Sequence, residues 1–122
     1  MEESKHLDLE YYTDIHGINH YDRWLDTLSE KVVLKIAFEV GKLQVGLGST
    51  RSLREGLQEL KIRIGKVTLR TYFAYHEGRV IVVLAGSEKR DQSRTILKAR
   101  MLLEEMREVK RKEKSSGKPD TR

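Results

Sequence analysis

The chain has 122 residues, enough for one domain with a core of a few layers. Hydrophobic residues make up 38% and charged residues 35%, a globular balance without the roughly 20-residue apolar run that a membrane helix needs. There is no cysteine, which excludes a disulfide framework and a thiolate zinc site.

The net charge of +5 is unevenly spread. Residues 1–50 hold five cations against nine acids, residues 51–106 twelve against seven, and residues 107–122 seven against three. A basic second half points to an anionic partner, although attraction to the acidic first half would fit it equally. The start, MEESKHLDLE, lacks the basic-then-apolar order of a secretory signal, so a cytoplasmic protein without membrane attachment is expected.

In chain order, residues 7–15 (LDLEYYTDI) suit a strand that Gly17 and Asn19 bring to an end. Tyr21, Trp24, Leu25 and Leu28 then follow a helical period, with Asn19 as the N-cap. A second helix starts near Ser29, carried by Val33, Ile36, Ala37, Val40, Leu43 and Leu47; Ser29 with Val32 does not make a capping box. The stretch LQVGLGST supplies its C-cap and a loop.

Three strands follow. Leu60, Ile62 and Ile64 alternate with Glu59, Lys61 and Arg63, and Gly65-Lys66 is a hairpin turn. Val67, Leu69, Thr71 and Phe73 alternate with Thr68, Arg70, Tyr72 and Ala74, and Glu77-Gly78 turns the chain again. Val80–Ala85 is apolar on both faces, as in a strand buried on two sides. From about Asp91 a helix is marked by Ile96, Ala99, Leu103 and Met106. Its pattern fades beyond Arg107 into a basic segment expected to be flexible, so the expected division is a domain over residues 1–106 and a tail over 107–122. The order β-α-α-β-β-β-α predicts a small α/β (α+β) sheet with helices packed on it.

The cations of the strands carry the chemistry. A period of two puts Lys61 and Arg63 on one face, an antiparallel neighbour brings Arg70 beside them, and Lys89 and Arg90 leave the third strand. Such a group repels itself and would be relieved by a polyanion. An ordinary solvated face, with Glu59, Glu77 and Glu88 as partners, fits the same pattern. His16 and His20 have a metal-ligand spacing interrupted by Gly17, and no Cys or further Glu signature supports a metal site. His76, at the end of the cationic strand, is placed to titrate near neutral pH. Tyr72 shares a face with Arg70 and is the best of the tyrosines for stacking a base, whereas Trp24 reads as core.

Gly56, Glu59-Leu60-Lys61-Ile62, Arg70-Thr71-Tyr72, Val80–Leu84, Gly86, Lys89, Gln92 and Ala99 stand in an order that resembles the RelE/HigB superfamily of bacterial toxins. The branch in view is the phage-derived addiction module killer proteins, and the likeness covers roughly residues 7–106. It implies a RelE-like microbial ribonuclease fold: an antiparallel-rich sheet, two N-terminal helices and a C-terminal helix. It further implies a ribosome-dependent mRNA interferase that needs no metal or other cofactor. Its partners would be mRNA, the ribosome and a cognate helix-turn-helix antitoxin from the adjacent gene, with a higher-order complex on operator DNA.

By the same resemblance Lys61, Arg70 and Lys89 are the expected catalytic residues, with Tyr72 or His76 as acid–base stand-ins. Arg63, Lys66, Arg90 and Arg94 would bind RNA. The chain departs from the pattern at Lys61, where the motif has Arg, at Ser87-Glu88, and at Ile96, where some members carry Tyr. These departures leave room for a non-catalytic RNA- or ribosome-binding protein, or for a toxin fold acting mainly as an antitoxin-bound corepressor.

Overall fold

The computed structural model describes residues 6–116. Along the chain it contains β1 (Asp8–Tyr11), α1 (His20–Leu25), α2 (Glu30–Lys42), β2 (Thr50–Arg54), β3 (Leu57–Ile64), β4 (Val67–His76), β5 (Val80–Glu88) and α3 (Gln92–Ser116). Single 3-10 turns extend α2 at Leu43–Val45 and precede α3 at Lys89–Asp91. The strands form one sheet in the order β1-β5-β4-β3-β2, antiparallel except where β1 lies parallel to β5. The mixed α/β architecture matches the expectation from periodicity.

Alternation along the strands feeds two cores on opposite faces of the sheet. Leu60, Ile62, Leu69, Phe73, Ile81 and Val83 meet Tyr21 of α1 and Ile36 and Val40 of α2. Leu57, Tyr72, Ala74, Val82 and Leu84 meet Ala99, Leu102, Leu103 and Met106 of α3. β5 is therefore buried on both faces, as its unbroken apolar run requires. Against β4 it carries a bulge: Tyr72 pairs with Ala85 but Phe73 with Val83, leaving Leu84 of β5 as the extra residue.

Local chemistry sets the element ends. Asn19 accepts a hydrogen bond from the Asp22 N–H and so caps α1, as expected. Ser29 caps α2 by accepting from the Val32 N–H at 3.3 Å; its hydroxyl does so without the reciprocal acid of a capping box. β1 stops at Tyr11, short of Ile15, because Asp14 accepts from the N–H groups of His16 and Ile18 and turns the chain. Those contacts, the Ile18 N–H first and then the His20 imidazole, hold the Asp14 carboxyl down at about 2.

Two further expectations are corrected. LQVGLGST is not all loop: Thr50 begins β2, an exposed edge strand paired with β3. The helix does not fade at Arg107 but runs to Ser116, held across the sheet by Lys110 to Glu10 (3.2 Å) and Lys114 to Glu77 (3.0 Å). Residues 117–122 of the basic segment, like residues 1–5, lie outside the described residues.

Gly86 is required by packing. A Cβ there would collide with the Trp24 ring, which lies directly on the β5 backbone. Gly86→Ala must push α1 off the sheet, and a loss of about 1–3 kcal/mol is expected in chemical denaturation, the usual range for an overpacked core. A loss below half of that would mean that α1 moves freely at this contact.

Candidate functional site

The sheet face under α3 changes character along its length. Where α3 covers it the face is apolar; towards the β3–β4 turn it is cationic. The pairing register places Lys61 directly opposite Arg70, Arg63 opposite Thr68, and Ser87 on the other side of Arg70. Cross-strand neighbours have Cβ atoms about 5 Å apart, and like charges so placed destabilise a sheet. Lys61 and Arg63 are exposed, whereas Arg70 is only 6% exposed. Lys89 and Arg90 lie on the 3-10 turn that joins β5 to α3, and Lys66 is exposed in the hairpin turn.

Glu59 is fully buried and organises this face. Its carboxylate accepts hydrogen bonds from Arg51 Nη2 at 3.1 Å and from Gln92 Nε2 at 2.9 Å. Arg70 Nε stands 3.6 Å from the same carboxylate, close enough for an ion pair but too far for a hydrogen bond. As a result Arg70 Nε and Nη1 are buried without any acceptor. Buried donors are nearly always matched, and an unmatched one costs about 1–3 kcal/mol. The fold thus maintains a guanidinium short of acceptors beside a second cation.

The acidic partners expected for a neutralised face are engaged elsewhere. Glu59 is committed inside, Glu77 pairs with Lys114 at the far end of β4, and Glu88 is 3.9 Å from Arg90. Among the described residues no acidic side chain pairs with Lys61, Arg63, Lys66 or Lys89. An anion with several acceptor oxygens would satisfy Arg70 and relieve the Lys61–Arg70 repulsion together.

The expected acid–base residues are placed differently. His76 ends β4, six residues from Arg70 and so about 20 Å along the strand. There it lies 3.8 Å from Glu77 and takes no part in the cation group. Tyr72 is adjacent to Arg70 and Glu59 but fully buried, with its hydroxyl 3.4 Å from Ser87 Oγ. It has no open ring face on which a base could stack. Burial, more than any neighbour, pushes its phenol up to about 12, so it keeps its proton through the neutral range. Arg94 pairs with Asp91 at 2.8 Å on the flank of α3 that faces α1. His20 is bound to Asp14 at 2.7 Å, and among the described residues no group of three His, Cys, Asp or Glu could hold a metal ion.

Sequence reasoning took Glu59 for a solvent-side partner and gave no role to Arg51 or Ser87. Glu59 does stand in phase with Leu57 on the α3 face, a signal that it lies under the helix. Arg51 carries no comparable signal, because β2 was not foreseen.

A family model for phage-derived Gp49-like proteins (DUF891) matches residues 23–111, a span that includes Arg51, Lys61, Arg63, Lys66, Arg70, Lys89, Arg90 and Arg94. An uncharacterized protein of Haemophilus influenzae is 31% identical over 88 residues, covering 70% of this chain and 88% of its own length. No solved structure gives a significant match. Among the described residues no helix is long and apolar enough to cross a membrane.

Proposed function

We propose, for a chain that belongs to the Gp49-like family of phage-derived proteins, a family associated with addiction module killer toxins, that it is the toxin of a toxin–antitoxin pair and cleaves ribosome-bound mRNA in the RelE/HigB manner. The observation that carries this reading is the buried, acceptor-poor Arg70 directly opposite the unpaired Lys61.

In the proposed reaction the ribose 2′-oxygen attacks the adjacent phosphorus. The P–O5′ bond breaks, leaving a 2′,3′-cyclic phosphate and a 5′-hydroxyl. The proton lost from the 2′-hydroxyl is balanced by one gained at the 5′-oxygen. Lys61 and Arg63 hold the phosphate and ease ionisation of the 2′-hydroxyl. Arg70 meets the charge that develops on the phosphorane, and Lys89 lies towards the leaving oxygen. Glu59, committed to two hydrogen-bond donors and an ion pair, serves to seat Arg70 and is not a free base. Tyr72 keeps its proton and shares a hydrogen bond with Ser87 in which either hydroxyl can donate, so it is not a base either. With no exposed acid–base residue in the group, orientation by the ribosome and charge stabilisation supply the rate in this reading.

The same scarcity favours one competing reading, a cationic RNA- or ribosome-binding protein that blocks translation without cutting. Induced expression separates the two. The enzyme reading expects growth arrest with cleaved, ribosome-associated mRNA, both lost in Arg70→Ala and Lys89→Ala and both suppressed by the product of the adjacent reading frame. Arrest with intact mRNA would overturn the enzyme reading and leave the binding one.

A further inference from the structure

β1 covers β5 only from Val80 to Val83. Beyond that point, among the described residues, the outer flank of β5 has no strand beside it, and α1 and α3 stand on its two sides. Between them is a cleft of about 450 Å³ that includes His20, Arg23, Trp24, Asp91, Arg94 and Lys98. It lies around the sheet edge from Lys61 and Arg63, neither of which lines it.

The cleft combines two chemistries. Arg23, Arg94 and Lys98 face a single acid, Asp91, which Arg94 already engages at 2.8 Å. Among the described residues Arg23 and Lys98 have no acidic partner. The other element is a flat indole. Trp24 is fixed by the Gly86 backbone on one side and by the Tyr21 ring, 5.7 Å away between centroids. Polyanion binding alone would not call for an immobilised aromatic wall, and an acidic peptide would leave it unused. A nucleotide uses both, since its base stacks on aromatic surface and its phosphate takes cations. The volume falls within the range of small-ligand sites.

Position links the cleft to the sheet site. Ser87 lines the cleft and is also the register partner of Arg70, with Lys89 and Arg90 following at once in the chain. We propose that the α1–α3 cleft seats one nucleotide of the RNA beside the scissile phosphate, its base against Trp24 and its phosphate on Arg23 and Lys98. This rests on the RNA reading of the sheet site and extends that site around the start of α3.

Trp24 is the single tryptophan of the chain, so its fluorescence reports on this cleft alone. The probe is a short single-stranded 2′-O-methyl RNA, which lacks the attacking hydroxyl and cannot be cut. Binding is followed in parallel by anisotropy of a labelled copy. The expected result is saturable Trp24 quenching over the same concentrations as the anisotropy change. The double variant Arg23→Ala/Lys98→Ala should lose the quenching and bind about tenfold more weakly at low salt. Both residues are exposed, and an unchanged melting curve would show that the fold is kept. Lys61→Ala/Arg63→Ala should weaken binding yet still reach full quenching at saturation.

Anisotropy binding without quenching, and unaltered in the cleft variant, would overturn the cleft and leave the sheet site standing. Equal quenching by inorganic polyphosphate would overturn the assignment of a base. Quenching by the antitoxin but not by RNA would overturn it in favour of a protein partner. If no RNA binds by either readout, the cleft proposal fails, and the mRNA cleavage assay decides the sheet site independently.

Discussion

In the proposed reaction Arg70→Ala is expected to lower the rate of mRNA cleavage by about 10²–10³-fold, the usual cost of removing one preorganised donor from a developing negative charge. The fold should tolerate the change. Among the described residues Arg70 Nε and Nη1 find no hydrogen-bond partner, and the ion pair with Glu59, at 3.6 Å, is a poor one. Its removal also ends the repulsion with Lys61. Against these gains stands the loss of one of three groups facing the buried Glu59 carboxylate, which keeps Arg51 and Gln92. A net stability change within about 1 kcal/mol is expected, the scale of a single ordinary hydrogen bond. Arg70→Lys should recover part of the rate, because it restores charge but not the planar fork. Cleavage of ribosome-programmed mRNA and urea denaturation measure the two effects on the same preparations. A rate within threefold of the parent would remove Arg70 from the transition state.

Glu59→Ala is expected to have the largest effect on stability, about 3–5 kcal/mol, since it leaves buried charge without its counterion. Arg70 would keep its unmatched donors and lose its one ion-pair partner among the described residues, while Gln92 would lose the bond that ties the start of α3 to β3. Replacing both members is different in kind. Glu59→Met/Arg70→Met removes charge and counter-charge together at similar volume, and buried ion pairs exchanged in this way are often neutral or stabilising. The double variant should therefore be more stable than Glu59→Ala and be inactive. If Glu59→Ala costs less than about 1 kcal/mol, the carboxylate does not organise this face.

The contrast between local and distant information explains what could be read in advance. Lys61 and Arg63 were legible as face-mates because strand alternation is local, and Arg70 because a two-residue turn fixes the register of its hairpin. Their retention without acidic partners was not legible, since it depends on Gln92 and Arg51 engaging Glu59 from other elements. β2 escaped because TRSLR is an exposed edge strand with no apolar alternation; backbone pairing, not side chains, makes it a strand. The last turns of α3 escaped for a similar reason. Their side chains are polar, and what holds them is a pair of ionic contacts to Glu10 and Glu77, far away in sequence. His76 was placed near the site because it shares a strand with Arg70, but a ten-residue strand has two distant ends.

The seating of Glu59 also has a meaning in time. A ribosome making this chain completes β3 and β4, with Lys61 and Arg70, before it makes the helix whose first residue is Gln92. Until that helix docks, the Glu59 carboxylate lacks its Gln92 bond and is left with Arg51 and the neighbouring Arg70 as partners. We expect a nascent chain ending before Gln92 to carry a self-quenched site with weak affinity for RNA, and full affinity to arrive only once α3 closes. A toxin of the proposed kind, built in this order, would spare the machine that is synthesising it, with its danger deferred to the moment of release.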